Sequence, residues 1–369
     1  MSTQVKKIKR AVLLNPGPAT TTDTVKYAQV VTDICHRETD FSLIIQEICL
    51  KLTQIASSSE DADTILMGGS GTAAIESVLS SVFTHSDHAF VINNGAYGQR
   101  LCQILDCYDI AYTGYDSDPC QALNYEDIKV QLSKQPYSHL LAVHHETTTG
   151  LLNDIGQLGD ITQQYKLSFI VDAMSSFGAI PIDMKKMNID YLISSSNKNI
   201  QGMAGIGIIT ARKAALNKLK KIPAKSFYLN LYQQYQSLSQ TSIFRFTPPV
   251  QTIYALKQAL IELEEEGLQN RYNRYISCWK TLMAGLTKLG LQTLVDEKDH
   301  SKLLTTIVEP KYFNFNHCHD FLYQNGFTIY PGKVNNSNTF RIANIGDIRP
   351  ADIELFLRFL ETYLNDSHI

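Results

Sequence analysis

From about residue 60 to residue 211 the chain alternates short apolar runs with longer stretches of helical spacing, and this alternation restricts the fold more than any other feature. Seven runs qualify as strands: 64–67, 89–92, 110–113, 140–143, 167–171, 191–194 and 206–210. Short, continuously apolar runs are the pattern of strands buried on both faces, and helical crossovers between them feed a parallel sheet. The expected fold is α/β, with a large domain built on a mainly parallel seven-stranded sheet and a smaller α+β domain toward the C-terminus. In open sheets of this kind ligands bind beyond the carboxyl ends of the strands, so the loops that follow these runs are where chemistry is expected.

Two polar residues stand at such ends. Asp172 follows the run 167–171, and Lys198 follows 191–194 within Ser194-Ser195-Ser196-Asn197-Lys198-Asn199-Ile200-Gln201-Gly202. Pyridoxal 5'-phosphate needs two protein groups above all: an amine to bind its aldehyde, and an anion beside its pyridine nitrogen. The anion keeps that nitrogen protonated so that the ring can accept electrons. Singly, Lys198 reads as a surface lysine and Asp172 as a helix cap. Their joint placement points to the cofactor.

Other segments could complete a site. Gly68-Gly69-Ser70-Gly71-Thr72-Ala73-Ala74-Ile75-Glu76 links a strand to an apolar-periodic helix, which puts Ser70, Gly71 and Thr72 at a helix N-terminus, a natural cradle for phosphate. It lacks the lysine of a Walker loop. Tyr97, in Asn93-Asn94-Gly95-Ala96-Tyr97-Gly98-Gln99-Arg100, follows the next strand and could stack on a flat ring. His144-His145-Glu146-Thr147-Thr148-Thr149-Gly150 has the look of a metal cluster, but adjacent strand residues face opposite ways and no third ligand is evident. Hydrogen-bonding roles are expected there, with Thr147 near the ring hydroxyl, and no metal. Arg341, in Phe340-Arg341-Ile342-Ala343, could grip an anionic substrate through its planar guanidinium.

The 369 residues exceed what one core usually organises, so two domains are expected: 16–260, and 261–369 together with 1–15. A net charge of −3 gives no basic footprint for nucleic acid. The seven cysteines show no metal-ligand pairs and read as reduced cytoplasmic thiols. The basic start at Lys6, Lys7, Lys9 and Arg10 is followed by an apolar run, 11–14, too short for a signal segment and read as a strand. No apolar stretch approaches the roughly 20 residues of a membrane helix. Asn335-Asn336-Ser337 fits a glycosylation pattern that would go unused in the cytoplasm. Helices are expected over 252–266 and 272–289, with the acidic run Glu262, Glu264, Glu265 and Glu266 as a solvated face and Gly267 ending or relaxing the first.

Taken in order, these segments resemble the class V aminotransferase group of fold type I pyridoxal-phosphate enzymes. The resemblance runs from Asn15-Pro16-Gly17-Pro18 through Cys35-His36-Arg37-Glu38, the segments around Ser70, Tyr97, Asp172 and Lys198, to Arg245-Phe246-Thr247-Pro248, nearly the whole chain. Asp172-Ala173-Met174-Ser175-Ser176-Phe177-Gly178 and the Lys198 segment favour its phosphonate branch. The resemblance implies that Lys198 binds the cofactor covalently and Asp172 pairs with the pyridinium. It also implies that Ser70, Gly71 and Thr72 hold the phosphate with Thr247 from the other subunit of a homodimer, that Tyr97 stacks on the ring, and that Arg341 binds the substrate anion. The implied activity is ping-pong transfer of the amino group of 2-aminoethylphosphonate to pyruvate, giving phosphonoacetaldehyde and L-alanine. Alanine- or serine-glyoxylate transamination, a desulfurase using Cys318, and a non-catalytic nucleotide-binding module stay open. Asn199 and Met203-Ala204 depart mildly from the pattern.

Overall fold

The computed structural model describes residues 8–334 and 337–366. Lys6 and Lys7 of the basic start, and Asn335 and Asn336 of the glycosylation pattern, lie outside the described residues.

In chain order, β1 (Val12–Leu13) is followed by β2 (Ala62–Gly68), β3 (Ala89–Asn93), β4 (Tyr112–Asp116) and β5 (His139–Val143). Two short strands, β6 (His145–Glu146) and β7 (Leu151–Leu152), precede β8 (Ser168–Asp172), β9 (Tyr191–Ser195) and β10 (Ile206–Arg212). Seven of these form one sheet, ordered β2-β10-β9-β8-β5-β3-β4. All seven expected strands are in it. The third is displaced: Ile110 donates its amide to Leu105 and closes the preceding helix, so the ladder starts at Tyr112, opposite Ala89.

Strands β4, β3, β5, β8 and β9 pair in parallel. Strand β10 runs antiparallel to both neighbours, with Ile206 opposite Gly68 and Gly207 opposite Ser195. The chain therefore leaves β9 and re-enters β10 at the same sheet edge, and residues 196–205 form a loop tied at both ends there. Helices cover the faces because their apolar residues recur three and four apart, as Phe41, Ile45, Ile48 and Leu52 do on Thr39–Ala56.

A second core gathers Val12 and Leu14 with Leu282, Phe327, Phe340 and Phe356. It packs against an antiparallel sheet of β11 (Leu304–Val308), β13 (Tyr330–Val334) and β14 (Ser337–Ala343), with β14 central. The remaining strand, β12 (Phe327–Thr328), pairs in parallel with β1. The chain's beginning is thus held by its last third. The helices Val250–Glu266 and Leu268–Lys288 meet at Gly267, whose φ of +79° suits glycine.

The acidic run is not simply a solvated face. Glu266 accepts from Arg271 at 2.7 Å and Arg274 at 2.6 Å, Glu264 pairs with Lys51 at 2.7 Å, and Glu262 accepts from Thr22 at 3.0 Å. Arg271 is buried, and a buried guanidinium requires such partners. Among the described residues, no helix is long and apolar enough to cross a membrane.

Candidate active site

Six strands of the central sheet point one way, and the expected site residues collect at their carboxyl ends. Asp172 ends β8, buried, with Oδ1 accepting the Met174 N–H at 2.9 Å. Burial pushes its carboxyl up to about 6, and the nearby charge of Glu146 adds to this while Arg100 and Lys198 oppose it. One strand over, Lys198 projects from the loop between β9 and β10 and donates from Nζ to the Pro16 carbonyl at 2.7 Å. Burial lowers its amine to about 8; Asp172 opposes the shift, and Arg100 and Arg341 reinforce it. Gly17 allows this approach, since a Cβ there would lie 2.2 Å from Nζ, at a φ of +142°.

The loop itself is pinned. Gly202 N–H donates to Ser196 at 2.8 Å, Asn199 reaches the Phe177 carbonyl at 3.3 Å, and buried Arg271 donates to the Asn199 carbonyl at 2.9 Å. Asn199, which departs from the family pattern, therefore acts as a loop tie.

Ser70 is the N-cap of the helix Gly71–Val82, exposed and with no side-chain bond to the helix. The first N–H groups of a helix have no partner within it, and the dipole favours an anion there. A Cβ on Gly71 would lie 2.2 Å from the Met174 sulfur, so the helix start is seated on the turn after Asp172. Thr247 is exposed, and no hydrogen bond joins it to this cradle among the described residues. Its neighbour Phe246 stacks on Tyr228 at 5.4 Å, and Tyr228 donates to the Gly68 carbonyl at 3.1 Å.

Tyr97 opens the helix Ala96–Cys107, with the Arg100 guanidinium 4.7 Å over its ring. Thr147 is buried and its hydroxyl has no partner; its carbonyl accepts from Arg341 Nη1 at 3.2 Å. Arg341, on β14, also donates from Nε and Nη2 to Pro331 at 3.2 and 2.7 Å. His144 and His145 each commit Nδ1, to Ser176 at 2.9 Å and to the Ser175 carbonyl at 3.0 Å. Burial lowers them to about 3 and about 4, so both are neutral near pH 7. Cys318 is wholly buried, and burial pushes its thiol up to about 12, the opposite of an activated nucleophile.

The residues fit pyridoxal phosphate on one observation in particular. The Nε2 of His145, a ring held by the turn after Asp172 and within reach of the Lys198 charge, and the hydroxyl of Thr147, two residues on and held by Arg341, are buried polar atoms without partners among the described residues, and such atoms are costly unless a ligand or water satisfies them. Sequence reasoning missed two charged residues here, Arg100 and Glu146. Glu146 had a signal: Gly95 precedes a helix yet carries no capping side chain, so a cap had to come from elsewhere.

A lysine on a sheet-edge loop, an acid on the neighbouring strand and an open helix start beside both are the apparatus of a cofactor-dependent transferase. The chain belongs to the class V aminotransferase family, whose model matches residues 20–340. It is 40% identical over 357 residues to the 2-aminoethylphosphonate-pyruvate transaminases of Salmonella paratyphi C (strain RKS4594) and Salmonella choleraesuis (strain SC-B67), covering 95% of this chain and 97% of each relative. Among solved structures it resembles a ureidoglycine-glyoxylate aminotransferase from Bacillus subtilis, with a TM-score of 0.92 and 22% identity over 99% of this chain and 96% of that one. An alanine-glyoxylate aminotransferase from Nostoc sp. gives 0.91 and 23%, over 99% and 98%. At such identities these two establish the shared α/β fold.

Proposed function

We propose that this chain is a pyridoxal-phosphate-dependent aminotransferase that moves the amino group of 2-aminoethylphosphonate to pyruvate, giving phosphonoacetaldehyde and L-alanine, as a cytoplasmic homodimer. The observation that carries the reading is the pairing of Lys198, its amine lowered to about 8, with buried Asp172 on the adjoining strand. The 40% identity over nearly the full chain supports the substrate pair. Separate cores support a division into a cofactor-holding domain, 16–260, and a small domain, 261–369 with 1–15.

Pyridoxal phosphate, when bound, supplies the aldehyde that accepts the amino group and a ring that takes up electrons as a C–H bond breaks. The protein does the rest. A lysine near 8 is neutral often enough at neutral pH to act as nucleophile and then as base, taking the proton from the carbon that bears nitrogen. Asp172 holds a protonated nitrogen, and a cation beside it brings its own raised carboxyl back down. The helix start at Ser70, Gly71 and Thr72 receives the phosphate, with Thr247 of the partner subunit as a further donor. Tyr97 would supply the face that stacks on the ring, and the unpartnered Thr147 hydroxyl would be a partner for the ring hydroxyl. Arg341 exchanges carbonyl contacts for the substrate's anionic oxygens, phosphonate in one half-reaction and carboxylate in the other.

The test is a single-turnover spectrum of cofactor-loaded protein mixed with 2-aminoethylphosphonate, with alanine, serine and taurine in parallel. Conversion to the amine form of the cofactor by 2-aminoethylphosphonate, reversed by pyruvate, is expected. Conversion by serine or alanine alone would overturn the substrate, and no conversion at all would overturn the reading.

A further inference from the structure

Glu146 has no part in the chemistry above, yet it is completely buried, 0% exposed. A carboxylate in such a place is costly unless hydrogen-bonded on every side, and this one is. Oε2 accepts the backbone N–H groups of Tyr97 at 3.1 Å and Gly98 at 3.4 Å, and Oε1 accepts the Thr148 N–H at 3.0 Å and the Thr148 hydroxyl. The Thr148 hydroxyl oxygen in turn accepts the Ala96 N–H at 3.1 Å. Three of these donors are the first-turn N–H groups of the helix Ala96–Cys107, where the dipole favours an anion. Gly95 makes room, since a Cβ there would lie 2.3 Å from the Glu146 carboxyl carbon. Burial pushes this carboxyl up, against the pull of its four donors.

The strands alone do not fix what Glu146 fixes. The pairing of β3 with β5 stops at Val91 opposite Leu141, before either strand reaches the site. Beyond that point the segment leading to Tyr97 and the segment leading to Thr147 run on separately. Asn153 joins them at one level, reaching Asn94 at 2.8 Å and the Val143 carbonyl at 2.8 Å. Glu146 and Thr148 join them again, at the level of the expected ring contacts.

We propose that Glu146 is a positioning residue that ties the loop carrying Thr147 to the helix start carrying Tyr97 and so sets the width of the slot for the cofactor ring. This rests on the reading of Tyr97 and Thr147 as ring contacts. The experiment is Glu146→Gln, which keeps the shape but turns an amide N–H₂ toward backbone donors. Pyridoxal phosphate is titrated onto the cofactor-free protein by fluorescence, and the visible circular dichroism per bound cofactor reports how the ring is held. The variant should bind roughly tenfold more weakly, show a dichroic band reduced by about half, and lose more in kcat than it gains in KM. Unchanged affinity and dichroism would overturn the proposal. If Glu146→Gln fails to fold, Thr148→Val decides: it removes the hydroxyl that links the Ala96 N–H to Glu146 Oε1 and leaves the carboxylate its three backbone donors, and it should weaken binding about threefold with a smaller loss of dichroism. No change in that variant would overturn the proposal equally. Wild-type protein that binds no pyridoxal phosphate would instead overturn the functional reading, a separate outcome.

Discussion

The two ends of the proposed cofactor space are built differently. At the ring end Asp172, His145, Glu146 and Thr147 are all buried and each is hydrogen-bonded: Asp172 to the Met174 N–H, His145 to the Ser175 carbonyl, Glu146 to the helix start at Tyr97, and Thr147 through its carbonyl to Arg341. At the phosphate end Ser70 and Thr247 are exposed, and among the described residues no hydrogen bond holds either side chain. Shielded charges shift their proton affinities and act strongly on one another, whereas exposed donors contribute affinity in small increments. The ring end is therefore where the chemistry is set, and the phosphate end is where the cofactor is merely retained, in our proposal with help from a second subunit.

The contrast breaks most visibly if Lys198→Ala retains turnover. A loss of at least about four orders of magnitude is expected in steady-state assays, together with loss of borohydride-fixed cofactor from the peptide containing residue 198. Asp172→Asn should cost about two to three orders of magnitude in kcat while cofactor still binds, which single-turnover rates would reveal. At the phosphate end, Thr72→Val should weaken cofactor binding only about three- to tenfold, measured by equilibrium titration, with kcat at saturating cofactor nearly unchanged. A loss as large as that of Asp172→Asn would show that the two ends are not distinct.

The buried charges also carry a pH signature. Asp172 is raised to about 6 in the folded chain, so its contribution to stability is present below the ordinary carboxylate range and is lost as pH rises through 6. Cofactor-free wild type should lose melting temperature relative to Asp172→Asn between about pH 4 and pH 7, by several degrees in thermal scans. Lys198, lowered to about 8, should be labelled by an amine reagent with a midpoint near that pH, well below surface lysines at about 10.4. The smallest effect expected is at Cys318, outside both ends. Cys318→Ala should leave turnover unchanged and cost about 1 kcal/mol of stability through the small cavity it leaves, read by chemical denaturation.

Six of the seven strands were legible because each is a run of apolar residues covered on both faces; the edge strand β4, half-exposed along its length, was legible only in outline, and its start was displaced. Asp172 and Lys198 were legible because polar residues that close such runs fall at the sheet's edge. The reversal of β10 was not, since an apolar run carries no direction. Nor was the Lys198 contact with Pro16, or that of Arg341 with Thr147: each spans well over a hundred residues, and no local pattern records it. Glu146 stood in plain sight in a segment expected to make hydrogen bonds, but that expectation was placed on Thr147, and nothing nearby in the chain points to the uncapped helix fifty residues earlier.

The carbonyl that holds the Lys198 amine belongs to Pro16, and that segment is positioned by residues made last: Leu14 donates to Thr328, accepts from Ala343, and Thr20 bridges to Gly346. One further tie comes from the lysine's own loop, where Asn197 accepts the Ala19 N–H at 2.9 Å. A chain cut short before residue 343 would lose the Ala343 and Gly346 contacts and leave the segment over the amine held by fewer bonds, so the setting of the lysine depends on residues nearly 150 positions away from it.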